Sequence, residues 1–571
     1  MSLELKSEEL KKLVSVYDTQ WFLGDLSGLM KAIAGNLAQD QLGKLSSPMR
    51  QLFYLGGLLV SSDPSGEEEI QYSMEEWERI IVLLNEIELE YEKIFFPDGV
   101  EEITNEWKKI RKVAMPSFLS YFNQGPLNYE EQTINWVNNL YSKLDSIIEL
   151  ETGLKTEHFL QFYDNIDALV QGNFQGFSSP NGKLRPNWEE YTKMKIVPAD
   201  HMPAMMMKMF EEQKSMSTFM ADHGIINRFY PQDIVSDNLS LDQVNKILAM
   251  LTISRSQTDF IYYTETKPGN PLYEKPIINI GDGMYQVFEV KQVLHVIEDL
   301  LETICSKTIA NTTKLIEKKG KLLEDKTLSV FKKFLKKDCK IYTSYYVDGC
   351  EQDILILWKQ YAFIIEAKGY KLKEPFRDPS KAFVRIKKDF KNSIGYGYKQ
   401  TRRVEQKFID QVPLKIEDKD GNILEEIDTT KYEDGDFSII VNLKSFGPIQ
   451  NDLSLLLEVD EDDVYPWVIK LDDLEVFILT MIAQKKKPMD LVNYLLMREE
   501  LHGKLICSDE LEICGGYLLN KINDSKNEKL EMIVTTPDLQ AIFDNQYQKG
   551  MGFENEKLLA EKRSGRYMFW G

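Results

Sequence analysis

At 571 residues the chain exceeds what one hydrophobic core supports, so several domains are expected. Its 91 Asp and Glu against 69 Lys and Arg give a net charge of −22, which excludes a protein that coats nucleic acid indiscriminately. Apolar content is 43% and charged content 28%, as in globular proteins, and no apolar run approaches the ~18 residues that a membrane span requires.

The first three hundred residues read as mainly helical. Ser73 and Glu76 form a capping box before Trp77, Ile80, Ile81, Leu84 and Ile87, which recur at helical spacing. Ser240 and Gln243 repeat the device ahead of Val244, Ile247, Leu248 and Leu251. Between them GNFQGFSSPNGKLRPNW marks a loop or subdomain boundary, and the Met-rich run 202–220 reads as gap-filling core or a flexible helix. PLYEKPIINIGDGMYQVF predicts two short strands around Gly281-Asp282-Gly283, followed by a helix over about 291–308. Residues 307–407 then hold 25 Lys and Arg against 12 Asp and Glu, a basic segment inside an acidic chain. Further on, PLKIEDKDGNILEEI predicts a hairpin, FSIIVNLKSF a buried strand, and WVIKLDDLEVFIL a strand running into a helix at Asp472 or Asp473. The last ninety or so residues return to helical periodicity with an acidic balance.

The chemistry lies in CEQDILILWKQYAFIIEAKGYKLK. Ile354 to Trp358 and Tyr361 to Ile365 are apolar β-formers on either side of Lys359-Gln360 and predict an antiparallel hairpin. A symmetric turn sets Trp358 opposite Tyr361 and, further out, Asp353 opposite Glu366, with their Cβ atoms about 5 Å apart on one face. Lys368 shares that face because strand side chains alternate. Two carboxylates so close repel each other unless a cation lies between them. Such a pair suits Mg²⁺ or Mn²⁺, a hard ion that takes carboxylate and carbonyl oxygens, the Ala367 carbonyl among them. The ion polarises a phosphoryl oxygen, and the lysine orients water or steadies developing charge.

Asp353 followed by Glu366-Ala367-Lys368 at a hairpin end resembles the signature of the PD-(D/E)XK, or restriction-endonuclease-like, nuclease superfamily. The resemblance extends over about 318–471 and includes a preceding helix with Glu324, packed through Leu323, Thr327, Phe331 and Phe334. It also includes a following helix carrying Gln400, with Arg403 and Lys407 on the same face. Gln352 stands where the family pattern has proline, and the segment YKLKEPFRDPSKAFVRIKKDF, with Phe376, Phe383 and Phe390, is a long charged insertion. As a loop it would grip a phosphate backbone or cover the site. The resemblance implies an α/β core, a mixed sheet flanked by helices, between a large helical N-terminal region and a helical C-terminal one. The expected division is a helical domain over 1–225, a connecting α+β subdomain over 226–306, the nuclease domain over 307–475 and a helical region over 476–571.

The resemblance implies catalytic roles for Asp353, Glu366, Lys368, Glu324 and Gln400, and metal binding by Asp353, Glu366 and Ala367. Glu324 is equally suited to pairing with a lysine of its own helix. Phosphate contacts are expected from Arg402, Arg403, Lys407, Lys371, Lys373 and Arg385, since guanidinium forks match phosphate oxygens. His158, His201, His223, His295 and His502 lack metal-ligand spacing, and no GxxxxGK[ST] loop is present. Cys305, Cys339, Cys350, Cys507 and Cys514 are scattered, which with a charged N-terminus suggests a reduced cytoplasmic protein. The expected activity is hydrolysis of phosphodiester bonds in DNA, with RNA compatible with the same chemistry, in a prokaryotic defence or mobile-element setting. The helical N-terminal region is expected to serve a partner protein or self-association. The alternative is a nuclease-like fold that binds nucleic acid or builds an assembly without cutting.

Overall fold

The computed structural model describes residues 2–34, 42–64, 72–96, 103–123, 128–178, 222–264, 267–336, 339–370, 376, 378–460, 463–522 and 532–556. The Met-rich run 202–220, Lys371, Lys373 and most of the loop after residue 178 lie outside them. Two compact units emerge, one of Met1–Lys93 with Thr133–Thr308 and one of Ile94–Gln132 with Ile309–Arg563.

The first unit is mainly helical. Its helix Met74–Glu92 begins with the expected capping box, Glu76 N–H donating to Ser73 Oγ at 3.2 Å and Ser73 N–H to Glu76 Oε2 at 2.6 Å. Trp77, Ile80, Ile81, Leu84 and Ile87 are its buried stripe. Ser240 and Gln243 cap Leu241–Leu251 in the same way. Strands Ile277–Gly281 and Met284–Val287 form the expected hairpin within a four-stranded sheet, and Val290–Cys305 follows.

The second unit is built on a seven-stranded mixed sheet flanked by helices. The elements that build the sheet and its flanks are α1 (Asn105–Asn123), α2 (Ile309–Leu335), β1 (Cys339–Val347), β2 (Cys350–Trp358), β3 (Tyr361–Lys368), α3 (Pro379–Asn392), α4 (Ile394–Ile409), β4 (Leu414–Glu417), β5 (Ile423–Ile427), β6 (Gly435–Asn442), β7 (Trp467–Lys470), α5 (Leu471–Ala483), α6 (Pro488–Glu499) and α7 (Glu510–Leu518). The strand order is β7-β6-β3-β2-β1-β4-β5. Strands β3, β6 and β7 run parallel, and the pairs from β3 outward to β5 are antiparallel. The parallel part is covered on both faces, which is why β6 reads as continuous apolar sequence. Ala362 and Ile364 of β3 pack with Val404 and Phe408 of α4. Phe363, pointing the other way, lies against Phe331 of α2.

Residues 94–132, which the sequence places in the N-terminal helical region, belong instead to this unit, where α1 packs on α3. Part of the charged insertion is likewise helical. Asp378 caps α3 by accepting from the Ser380 and Lys381 N–H groups, Pro379 opens it, and Ala382, Ile386 and Phe390 form a buried stripe at four-residue spacing. At the far edge a buried ion pair ties α6 and α7 to β7. Glu510 Oε1 accepts from Arg498 Nε at 2.9 Å, Tyr494 OH at 2.7 Å and Trp467 Nε1 at 2.8 Å.

Candidate active site

Strands β2 and β3 pair in the register read from the sequence, from Trp358↔Tyr361 at the turn outward to Ile354↔Ile365. Lys359 takes φ 53°, the left-handed step that such a tight turn uses. Beyond Ile354 the backbone ladder stops and side chains take over. Asp353 N–H donates to Glu366 Oε1 at 3.1 Å, and Ala367 N–H donates to Asp353 Oδ2 at 2.7 Å. Each carboxylate is thus held by the backbone of the opposite strand.

Lys368 Nζ donates to Glu366 Oε2 at 2.6 Å and to Gln400 Oε1 at 2.7 Å, and stands 3.7 Å from Asp353 Oδ2. Gln400 Nε2 in turn donates to the Glu351 carbonyl at 3.2 Å. The structure therefore brings Asp353, Glu366, Lys368 and Gln400 into one hydrogen-bonded group. Glu324 projects from α2 towards it, close enough for Asp353 to raise its pKa further, though burial is the larger cause. It also lies 3.5 Å from Lys321, one turn back on its own helix.

Glu366 is 1% exposed. Burial pushes its carboxyl up to about 8, with Asp353 adding to the rise while the Lys368 ammonium opposes it. The Lys368 ammonium offsets only part of that burial cost, so further positive charge nearby would favour the charged carboxylate. Tyr345 of β1 is 3% exposed, and its hydroxyl has no hydrogen-bond partner among the described residues. Its pKa rises well above the usual value through burial and through the negative charge of Glu366 and Asp353.

An all-oxygen set of two carboxylates, one of them buried, is of the kind that would suit a hard divalent cation. Ala367 N–H faces Asp353, and in an extended strand the carbonyl of the same residue leaves on that side. Among the described residues no group of three or more His, Cys, Asp or Glu is gathered to cage an ion. Such an ion would therefore draw the rest of its shell from water and substrate, as Mg²⁺ commonly does.

The expected phosphate contacts are dispersed. Arg402 is turned inward, pairing with Asp463 and, at 3.3 Å, with Glu405 Oε2, so its guanidinium is already committed. Arg403 has one buried terminal nitrogen without a hydrogen-bond partner among the described residues. Lys407 pairs with Asp348 at 2.9 Å. Arg385 lies over the ring of Phe376, 4.8 Å from its centroid. Two neighbours escaped the sequence reading. One is Tyr345; the other is Tyr396, whose ring centroid lies 5.5 Å from Lys368 Nζ. Tyr396 stands between Gly395 and Gly397 at the start of a helix, the one sequence signal that could have singled it out.

Residues 319–423 match the family model NERD, a nuclease-related domain, which is related to the PD-(D/E)XK restriction-endonuclease-like superfamily. The matched stretch holds Glu324, Asp353, Glu366, Ala367, Lys368 and Gln400. No curated protein and no solved structure matches the chain.

Proposed function

Because residues 319–423 form a nuclease-related domain, we propose that the protein is a metal-dependent endonuclease that hydrolyses phosphodiester bonds in DNA. The observation that carries this reading is the Lys368 ammonium, 2.6 Å from the buried Glu366 carboxylate and 3.7 Å from Asp353. Asp353, Glu366 and the Ala367 carbonyl would hold the cation. A bound Mg²⁺ or Mn²⁺ supplies Lewis acidity at phosphorus and lowers the pKa of coordinated water.

The chain's own groups do the remainder. Glu366 would hold the cation in its charged form, any proton passing to solvent. Lys368, steadied by Gln400, offers N–H bonds to attacking water or to negative charge building on the phosphoryl oxygens. Glu324, near enough to feel the Asp353 charge, would add a further carboxylate to the site's negative field. A basic segment in an acidic chain draws polynucleotide to this surface and limits binding elsewhere. A role in defence against foreign DNA suits a nuclease-related domain joined to a large helical unit, by analogy of architecture.

The test is cleavage of supercoiled plasmid with Mg²⁺ or Mn²⁺, comparing wild type with Asp353→Ala and Lys368→Ala. Nicking or linearisation by wild type and loss in both variants is expected. Equal activity in all three, or none in any, overturns the assignment. In the latter case, Mn²⁺ binding that depends on Asp353 and Glu366 separates an inactive metal site from a fold used only for binding.

A further inference from the structure

Tyr396 is 56% exposed, although it stands at the edge of a buried polar group. Its position is set by the backbone. Helices α3 and α4 meet at Ser393, and the first turn of α4 lies so close to β6 that a Cβ on Gly397 would come within 3.2 Å of Ile440. Only glycine permits that approach comfortably. The turn is thereby pressed onto the sheet beside β3, and the ring of Tyr396 is left over Lys368 Nζ.

Helix α3 ends beside it, with the Lys391 side chain 3.9 Å from where a Cβ on Gly395 would stand. Lys381, Lys388 and Lys391 of α3 and Lys399 of α4 are exposed, and none has a carboxylate partner among the described residues. Phe376, 44% exposed, lies under the Arg385 guanidinium, and Val384 is 67% exposed on the same helix. Free cations interleaved with exposed aromatic and apolar side chains suit a chain of phosphates whose bases are free to stack. They suit a duplex poorly, because there each base face is already covered by its neighbours.

We infer that this surface is a track for single-stranded polynucleotide, on which Tyr396 stacks against the base next to the phosphate held at Lys368. The inference rests on the nuclease reading for the phosphate's position, but the stacking itself is a binding property. Lysines of α3 carry the backbone, and the Tyr396 ring orients the nucleotide at the metal-binding end of the hairpin. Nucleic acid with an unpaired stretch is then the preferred substrate.

The test uses the full chain with EDTA present, so that nothing is cut, and labelled oligothymidylate, oligouridylate and a DNA duplex of equal length. Wild type should bind oligothymidylate more tightly than duplex. Tyr396→Ala should reduce that preference about ten-fold, the ~1.4 kcal/mol of one lost stack, and Tyr396→Phe should retain it. A wild type without the preference, or a Tyr396→Ala protein that keeps it, overturns the inference. Oligouridylate bound as well as oligothymidylate assigns the track to single strands generally; weaker binding assigns it to DNA. Both outcomes support it. Cleavage of the same oligonucleotides with Mn²⁺ separates the two ideas. Preference without cutting leaves the track standing and sinks the nuclease reading, whereas cutting with an unchanged preference in Tyr396→Ala sinks the track alone.

Discussion

Gln400 holds Lys368 by a 2.7 Å hydrogen bond while its other end is anchored on the Glu351 carbonyl. The helix α4 thereby sets the direction of an ammonium that grows from β3. A freed lysine side chain regains much of its rotamer entropy and loses its aim. Gln400→Ala should lower kcat for DNA cleavage by about 10- to 100-fold with KM little changed, since outer-shell partners typically act on that scale. Steady-state kinetics check this, and a change confined to KM would remove the positioning role.

At the proposed metal site, the raised pKa of Glu366 makes cation binding pH-dependent. Its folded pKa of about 8 lies above the ordinary carboxylate value, so at lower pH a cation must displace a proton. Affinity should then fall by about ten-fold for each pH unit below 8 and level off above it. Titration calorimetry with Mn²⁺ in two buffers of different ionisation heat should reveal one released proton near neutral pH. The same linkage makes the metal-free fold less stable as pH rises through 8, because the charged form is the one that burial penalises. Glu366→Gln should abolish both effects.

Beside those carboxylates Tyr345 buries a hydroxyl that has no partner among the described residues. Leaving a buried polar group unsatisfied costs more than having an apolar group of the same shape. Tyr345→Phe should therefore unfold at the same or a higher urea concentration than wild type. A loss of more than ~1 kcal/mol would mean that the hydroxyl is bonded after all.

Arg498 is 1% exposed and shares a carboxylate with Tyr494 and Trp467. Truncating it leaves Glu510 charged in the protein interior. Arg498→Ala should cost ~3–5 kcal/mol of stability in denaturant titration, whereas an exposed pair such as Lys44–Glu78 should contribute under ~1 kcal/mol.

The parts legible in the sequence share one property: their signals are local. The β2–β3 register follows from two apolar runs and a two-residue turn, and it places Asp353, Glu366 and Lys368 correctly relative to one another. Capping boxes and the Gly281-Asp282-Gly283 turn are equally self-contained. Strand β1 was harder to read, because Thr343, Ser344 and three tyrosines interrupt its apolar pattern and Ser344 takes φ 48°. Helix α3 hid behind its lysines, although Asp378-Pro379 was a start signal. The commitment of Arg402 to Asp463 and the stance of Tyr396 over Lys368 depend on elements distant in sequence. No periodicity reports them.

The membership of α1 in the second unit has a consequence for how the chain comes into being. Val113, Ala114 and Phe118 are buried there, yet the residues of α3 that they accompany are synthesised much later. During translation this segment leaves the ribosome with its apolar face uncovered and must wait while the rest of the first unit is made. A nascent chain in that interval carries an unsatisfied hydrophobic stripe, a natural target for chaperones and a point of entry for aggregation. The order of synthesis and the order of assembly are therefore different, and the nuclease-related unit closes only when its earliest piece meets its last.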